Sequence, residues 1–202
     1  MPNLRALAII LIVLTALVPP ATGARAMPAF LAGRPEHALS FLVTRNGGPI
    51  GYHKYVFQPR KGGEFEVRVE ADIRVSFLLI PFFVYEQQGV EVWENGRFKS
   101  MDYTTNDDGA RHVVKAEARD GRLLVSVDGK PAASHPEMIP GSLWRRPPPQ
   151  AGMMLDPGDG NPTPLKIQLV GEETIPVRGK PTRTTRLVWD DGLRREVWYD
   201  DE

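Results

Sequence analysis

Polar and apolar residues alternate along much of the chain, and the longest run extends from Phe65 to Phe77. Phe65, Val67, Val69, Ala71, Ile73, Val75 and Phe77 fall on one side, with Glu64, Glu66, Arg68, Glu70, Asp72, Arg74 and Ser76 on the other. Period two with one apolar side predicts a half-buried strand of an antiparallel sheet. At about 3.3 Å per residue this strand is about 43 Å long, too long to stay flat, so the sheet is expected to curve. Shorter runs of the same kind cover Leu39 to Val43, Ile50 to Phe57, Gly89 to Asp102, Arg111 to Asp128, Leu165 to Leu169, Thr174 to Val177, Thr182 to Trp189 and Leu193 to Tyr199. Asn46-Gly47, Asn95-Gly96 and Asp120-Gly121 lie between runs and tolerate the positive φ of tight hairpin turns. The expectation is an all-β fold: a single curved antiparallel sheet of about eleven or twelve strands forming a half-barrel or open barrel.

The interruptions are as informative as the alternation. Leu78 to Val84, LLIPFFV, is apolar on both sides of Pro81, which implies a bend or bulge over the core. With Phe77, Phe82 and Phe83 it could form the lip of an apolar cavity. Gly129 to Gly152 is rich in Pro and small residues, with Trp144 as its one large anchor. A structureless segment of this length reads either as a lid or partner-binding loop, or as a surface excursion pinned by Trp144. Asp156 to Asn161 has turn composition and lacks the ligand spacing of an EF-hand loop, so no metal site is expected.

The N-terminus changes the compartment. Arg5 precedes an apolar run from Ala6 to Val18, Pro19-Pro20 ends it, and Ala24-Arg25-Ala26 offers a small-x-small cleavage site. This is the pattern of a secretory signal peptide over 1–26, and the run is shorter than the roughly 18 residues of a bilayer span. The mature chain, 27–202, is long enough for one domain and is not expected to be integral to a membrane after cleavage. The 25 Lys and Arg balance the 25 Asp and Glu, so there is no basic footprint for nucleic acid. Without cysteine there are no disulfides, thiol nucleophiles or thiolate metal sites, and no cofactor is indicated. A secreted domain without disulfides suits a bacterial periplasm or exterior.

Candidate chemistry concentrates on the hairpin GVEVWENGRFKSMDYTTNDDG, 89–109. An unbroken ladder from the Asn95-Gly96 turn sets Trp93 opposite Phe98, Glu91 opposite Ser100 and Gly89 opposite Asp102, all on one face. Glu91 and Asp102 are then diagonal neighbours roughly 7 to 8 Å apart, a glycosidase-like pair of carboxylates beside an aromatic. Carboxylates on a solvated sheet face are the plainer explanation. His53 is a third candidate for catalysis, with a structural strand histidine as its ordinary reading. His112 falls at the margin of the apolar row Val114, Ala116 and Ala118.

Several of these strings together resemble a family of uncharacterised secreted bacterial proteins, a domain of unknown function. They are Ile50-Gly51-x-His53, Glu91-x-Trp93-x-x-Gly96-Arg97-Phe98, Thr105-Asn106-Asp107-Asp108-Gly109, Leu155-Asp156 with Gly160, Gly171-x-Glu173 and Trp198-Tyr199-Asp200. Members continue beyond the last string with a further strand or two, so the expectation is either that this chain is truncated or that its final sheet edge is open. The family has no established activity, and the resemblance implies no catalytic residues. More distantly the pattern is similar to the half-barrels of periplasmic lipoprotein carriers, which hold acyl chains in an apolar concavity. The expected function is therefore a non-enzymatic binding protein for a lipid, another apolar ligand or an envelope protein, using Phe77, Phe82, Phe83, Trp93 and Trp144. The alternative is a hydrolase using the hairpin carboxylates. An outer-membrane barrel is disfavoured by the proline-rich insertion and the lack of aromatic girdles.

Overall fold

The computed structural model describes residues 37–77, 80–136, 138–148, 151–192 and 194–200. The expected signal peptide at 1–26 lies outside the described residues. Eight strands form one antiparallel meander in chain order: β1 (Ala38–Arg45), β2 (Gly48–Pro59), β3 (Glu64–Phe77), β4 (Ile80–Glu94), β5 (Arg97–Asp107), β6 (Ala110–Arg119), β7 (Arg122–Val127) and β8 (Lys130–Pro136). Five of its connections are two-residue turns with both residues at positive φ: Asn46-Gly47, Asn95-Gly96, Asp108-Gly109, Asp120-Gly121 and Asp128-Gly129. Asn, Asp and Gly reach that region most readily, and turns of this kind match the right-handed twist of the strands they join.

The remaining strands make two smaller sheets. In one, β9 (Ile139–Pro140), β10 (Met153–Leu155) and β11 (Pro162–Pro164) lie in the order β11-β10-β9, with β9 and β10 parallel. The other joins β12 (Lys166–Val177), β13 (Lys180–Asp190) and β14 (Arg194–Asp200) in an antiparallel meander. The fold is all-β and open, as expected, but it holds fourteen strands in three sheets among the described residues instead of one continuous sheet. Prolines explain the break. Pro136, Pro140, Pro147, Pro148, Pro157, Pro162 and Pro164 interrupt the stretch between β8 and β12, where each removes a ladder donor, so the chain leaves the edge of the large sheet. Nor is 129–152 structureless: β8 extends the large sheet, and after β9 only 141–148 and 151–152 lack strand structure among its described residues.

Alternation puts one face of the large sheet into the core. Tyr55, Phe57, Phe65, Val67, Val69, Trp93, Phe98, Met101, Tyr103, Val114, Ala116, Leu123 and Val125 form one buried cluster, and Met138, Trp144 and Leu155 from the crossing chain join it. The crossing chain therefore covers this inner face. Its turn at 156–161 presses Gly160 against β6 and β7, where a Cβ would lie 2.6 Å from Val127 Cγ2. A second cluster of Met154, Leu165 and Trp189 ties the small sheet to β13. Bulges in the ladders at Ile50, Phe82, Lys99 and Ala132 leave one residue of a strand unpaired, and each increases local twist, which curls a sheet this long. No described helix is long and apolar enough to cross a membrane.

Candidate functional site

Glu91 is the centre of the inner face. It points inward from β4 between Gly89 and Trp93 and is fully buried. Three donors from three parts of the chain converge on it. Trp93 Nε1 donates to Oε2 at 2.8 Å, Trp144 Nε1 to the same oxygen at 3.0 Å, and the Tyr103 hydroxyl to Oε1 at 2.7 Å. An indole N–H can only donate, so a carboxylate oxygen accepting two of them satisfies groups that burial would otherwise leave unpaired. Among the described residues no Lys or Arg forms a salt bridge with Glu91. Burial and the neighbouring Glu91 charge both push the Tyr103 hydroxyl well above its ordinary pKa, so it remains a donor.

The surrounding residues are built to this arrangement. Tyr103 lies opposite Gly89, and a Cβ on Gly89 would stand 2.3 Å from the Tyr103 ring, so only glycine lets the ring lie flat and reach the carboxylate. The Trp144 indole stands edge-on to Phe57, Phe65 and Trp93, with centroids 5.3, 6.0 and 5.3 Å away. Arg145 lies over the Trp93 ring at 4.9 Å and donates to the Gly96 carbonyl at 2.6 Å. Burial lowers the pKa of this guanidinium, and the Glu91 charge opposes that shift.

The hairpin register differs from the expected one by a single residue. Trp93 pairs with Phe98 as predicted, but Lys99 is bulged out, so Val92 faces Ser100, Glu91 faces Met101 and Val90 faces Asp102. One extra residue reverses the facing of everything beyond it. Asp102 consequently points outward, exposed and paired with Lys115 at 2.6 Å, while Glu91 points inward. The structure does not bring the two carboxylates together.

His53 lies farther along the same inner face. Its row across the sheet is Phe41, His53, Ala71, Gln87, Thr105 and His112. Four residues of β4 separate Gln87 from Glu91, roughly 13 Å. The row is polar at its centre: Gln87 and Thr105 are buried and bonded to each other at 3.1 Å. His53 packs against Tyr55 with ring centroids 4.5 Å apart, and burial lowers its pKa to about 4. His112 is engaged with Asp128 at 3.3 Å. Tyr85, one row on, is pushed by burial, then by Asp156 and Asp107, to about 12.

At the β1 end of that row, and beyond it on β1, β3 and β4, the inner face carries apolar side chains that are incompletely covered. Phe41 is 51 % exposed, and Val43, Ile73, Val75 and Phe83 are half-buried. Of the aromatic residues predicted to bind a ligand, Phe83 belongs to this strip, whereas Phe82 occupies the bulge and is 56 % exposed. The Phe77 side chain lies outside the described part of the structure. Trp93 and Trp144 are in the packed floor, and the crossing chain is pinned by Trp144. Sequence reasoning placed Gly89 on this face but missed Tyr55 and Tyr103 there, and Tyr199 of β14 beside Tyr55. On the opposite side a groove of about 830 Å³ is lined by Val90, Val92, Leu124 and paired charges such as Lys115 with Asp102. No group of three or more His, Cys, Asp or Glu suited to a metal ion occurs among the described residues.

Comparison with known proteins adds one match. Residues 41–202 fit the family model described as a domain of unknown function, DUF6134. No curated protein and no solved structure matches the chain.

Proposed function

Because the chain belongs to a family defined only as a domain of unknown function, DUF6134, we propose from its own geometry that it is a non-enzymatic binding protein for an acyl-type, amphipathic lipid. The observation that carries this reading is the inner-face strip of Phe41, Val43, Ile73, Val75 and Phe83. It is apolar, lies on the same face as the core, and is half-exposed. Burying such side chains against a hydrocarbon chain is favourable by about 25 cal/mol per Å². The strip spans β1 to β4, roughly 14 Å, and is bounded below by the polar row, so it offers an apolar run next to hydrogen-bonding groups. Trp93 and Trp144 belong to the packed end of the same face, on the other side of the polar row.

The N-terminal pattern and the absence of cysteine support secretion, to the periplasm or beyond, as the compartment for this role. A hydrolase built on paired carboxylates has no geometric support, since Glu91 and Asp102 lie on opposite faces. The test is native mass spectrometry of the mature protein purified from a bacterial periplasm, together with uptake of a fluorescent fatty-acyl probe. A lipid adduct and saturable uptake are expected, and replacing Ile73 and Phe83 together by Ser should weaken uptake by at least about tenfold. Absence of both adduct and uptake overturns the reading, and copurification of a stoichiometric envelope protein in place of lipid would substitute the protein-partner alternative.

A further inference from the structure

Three polar groups linked to the apolar strip through the Tyr55 ring lack full hydrogen bonding. His53 Nε2 and the Tyr199 hydroxyl are buried with no hydrogen-bond partner among the described residues. The Tyr55 hydroxyl accepts a long bond from the Leu143 amide at 3.4 Å, which leaves its own proton undirected. A buried donor or acceptor without a partner costs about 1–3 kcal/mol, so the unpartnered His53 and Tyr199 groups, with the free Tyr55 proton, call for an occupant. They belong together. His53 stacks on Tyr55, and Tyr199 of β14 acts electrostatically on Tyr55. Phe41, the most exposed member of the strip, meets the Tyr55 ring edge-on with centroids 6.3 Å apart and pairs with His53 across β1 and β2.

We propose that His53 Nε2, the Tyr55 hydroxyl and the Tyr199 hydroxyl form the polar anchor of the bound lipid, and that they select an uncharged carbonyl oxygen, as in an acyl ester, over a carboxylate or phosphate. This rests on the lipid-binding reading and goes beyond it by naming the headgroup chemistry. The argument is one of charge. Both tyrosines are held neutral by burial, which raises their pKa, and the histidine is neutral because burial lowers its own to about 4. Neutral phenol and imidazole donors satisfy a carbonyl oxygen without bringing a formal charge out of water. An anion would have to be desolvated, and the partly buried Arg145 is already engaged with the Trp93 ring and the Gly96 carbonyl. The carboxylate of Glu91, whose charge already raises the pKa of Tyr55, would oppose it further. Arg146 acts on Tyr199 from an exposed position, where water and salt screen it.

The experiment compares three ligands of equal chain length on the delipidated mature protein at pH 8: methyl laurate, laurate and dodecane, each displacing a fluorescent acyl probe. It is run on the wild type, Tyr199→Phe and His53→Phe, conservative changes that keep the ring against its neighbours. Methyl laurate should bind about tenfold tighter than laurate. Each variant should lose about five- to tenfold in affinity for methyl laurate and nothing for dodecane. The ¹⁵N resonance of His53 Nε2 should move with methyl laurate and stay in place with dodecane. If dodecane binds but laurate equals or exceeds methyl laurate, or Tyr199→Phe and His53→Phe leave the ester affinity unchanged, the anchor is wrong while lipid binding stands. If no ligand displaces the probe, or the probe itself does not bind, both readings fall.

Discussion

Replacing Glu91 should unfasten the crossing chain from the sheet. The carboxylate accepts bonds of 2.8, 3.0 and 2.7 Å from Trp93, Trp144 and Tyr103, all buried. Bonds to a charged acceptor contribute about 1.5–3 kcal/mol each, and burying the charge offsets part of that sum. Truncation is different from never having had the group, because Glu91→Leu leaves three buried donors without an acceptor at about 1–3 kcal/mol apiece. The expected loss is about 4–6 kcal/mol, comparable with the whole stability of a small domain. Glu91→Gln should cost only about 2 kcal/mol. Its carbonyl oxygen can still accept both indoles, and the Tyr103 hydroxyl can turn to accept from the amide. Urea unfolding followed by tryptophan fluorescence measures both values. A double-mutant cycle of Glu91→Gln with Trp144→Phe should give a coupling of about 1–2 kcal/mol. Trypsin adds a local readout, since the Arg145-Arg146 bond lies next to Trp144 and should be cut faster in Glu91→Gln. Glu91→Leu unfolding within about 1 kcal/mol of the wild type, or a coupling near zero, would refute the account of Glu91 as a latch.

That latch was only half legible in the chain. The alternation of Phe65 to Phe77 and the Asn95-Gly96 turn are local signals, and β3 and the hairpin follow from them directly. The bulge at Lys99 has no glycine or proline to mark it, so the expected ladder ran straight through. Its trace was a change of phase: Phe98 is even-numbered, whereas the next inward residues, Met101, Tyr103 and Thr105, are odd. An alternation that slips by one within a strand is what a bulge produces. Trp144 was identifiable as an anchor, but its acceptor lies 53 residues away on another sheet element, and no spacing rule connects them. Gly89 acquires a meaning only once Tyr103 is known to lie opposite it. The run Leu78 to Val84 predicts a bend or bulge over the core, and the bulge falls at Phe82; of the described side chains in that run only Phe83 joins the apolar strip, whose other members come from β1 and β3 on the same face.

Three further outcomes follow from the same geometry. Gly89→Ala places a Cβ 2.3 Å from the Tyr103 ring, so it should destabilise by about 2–3 kcal/mol in urea unfolding and displace the tyrosine from Glu91, whereas a neutral result would mean the ring can lift freely. Asp102→Asn breaks only an exposed pair with Lys115, so stability should hold within about 0.5 kcal/mol and acyl-probe uptake should be unchanged; a loss of uptake would return Asp102 to the site. The pH dependence of unfolding should carry the signature of His53. Its folded pKa of about 4 lies below the ordinary 6.5, so between those values the unfolded chain binds the extra proton and the folded protein resists it. This contribution is complete above about pH 6.5 and is lost as the pH falls toward 4, up to about 3 kcal/mol at 1.36 kcal/mol per pH unit. His53→Phe removes the titrating group while keeping a ring on Tyr55, so its stability should fall less steeply than that of the wild type across this window. Parallel curves for the two proteins would show that His53 is solvated in the folded state, and the polar anchor would lose one of its buried groups.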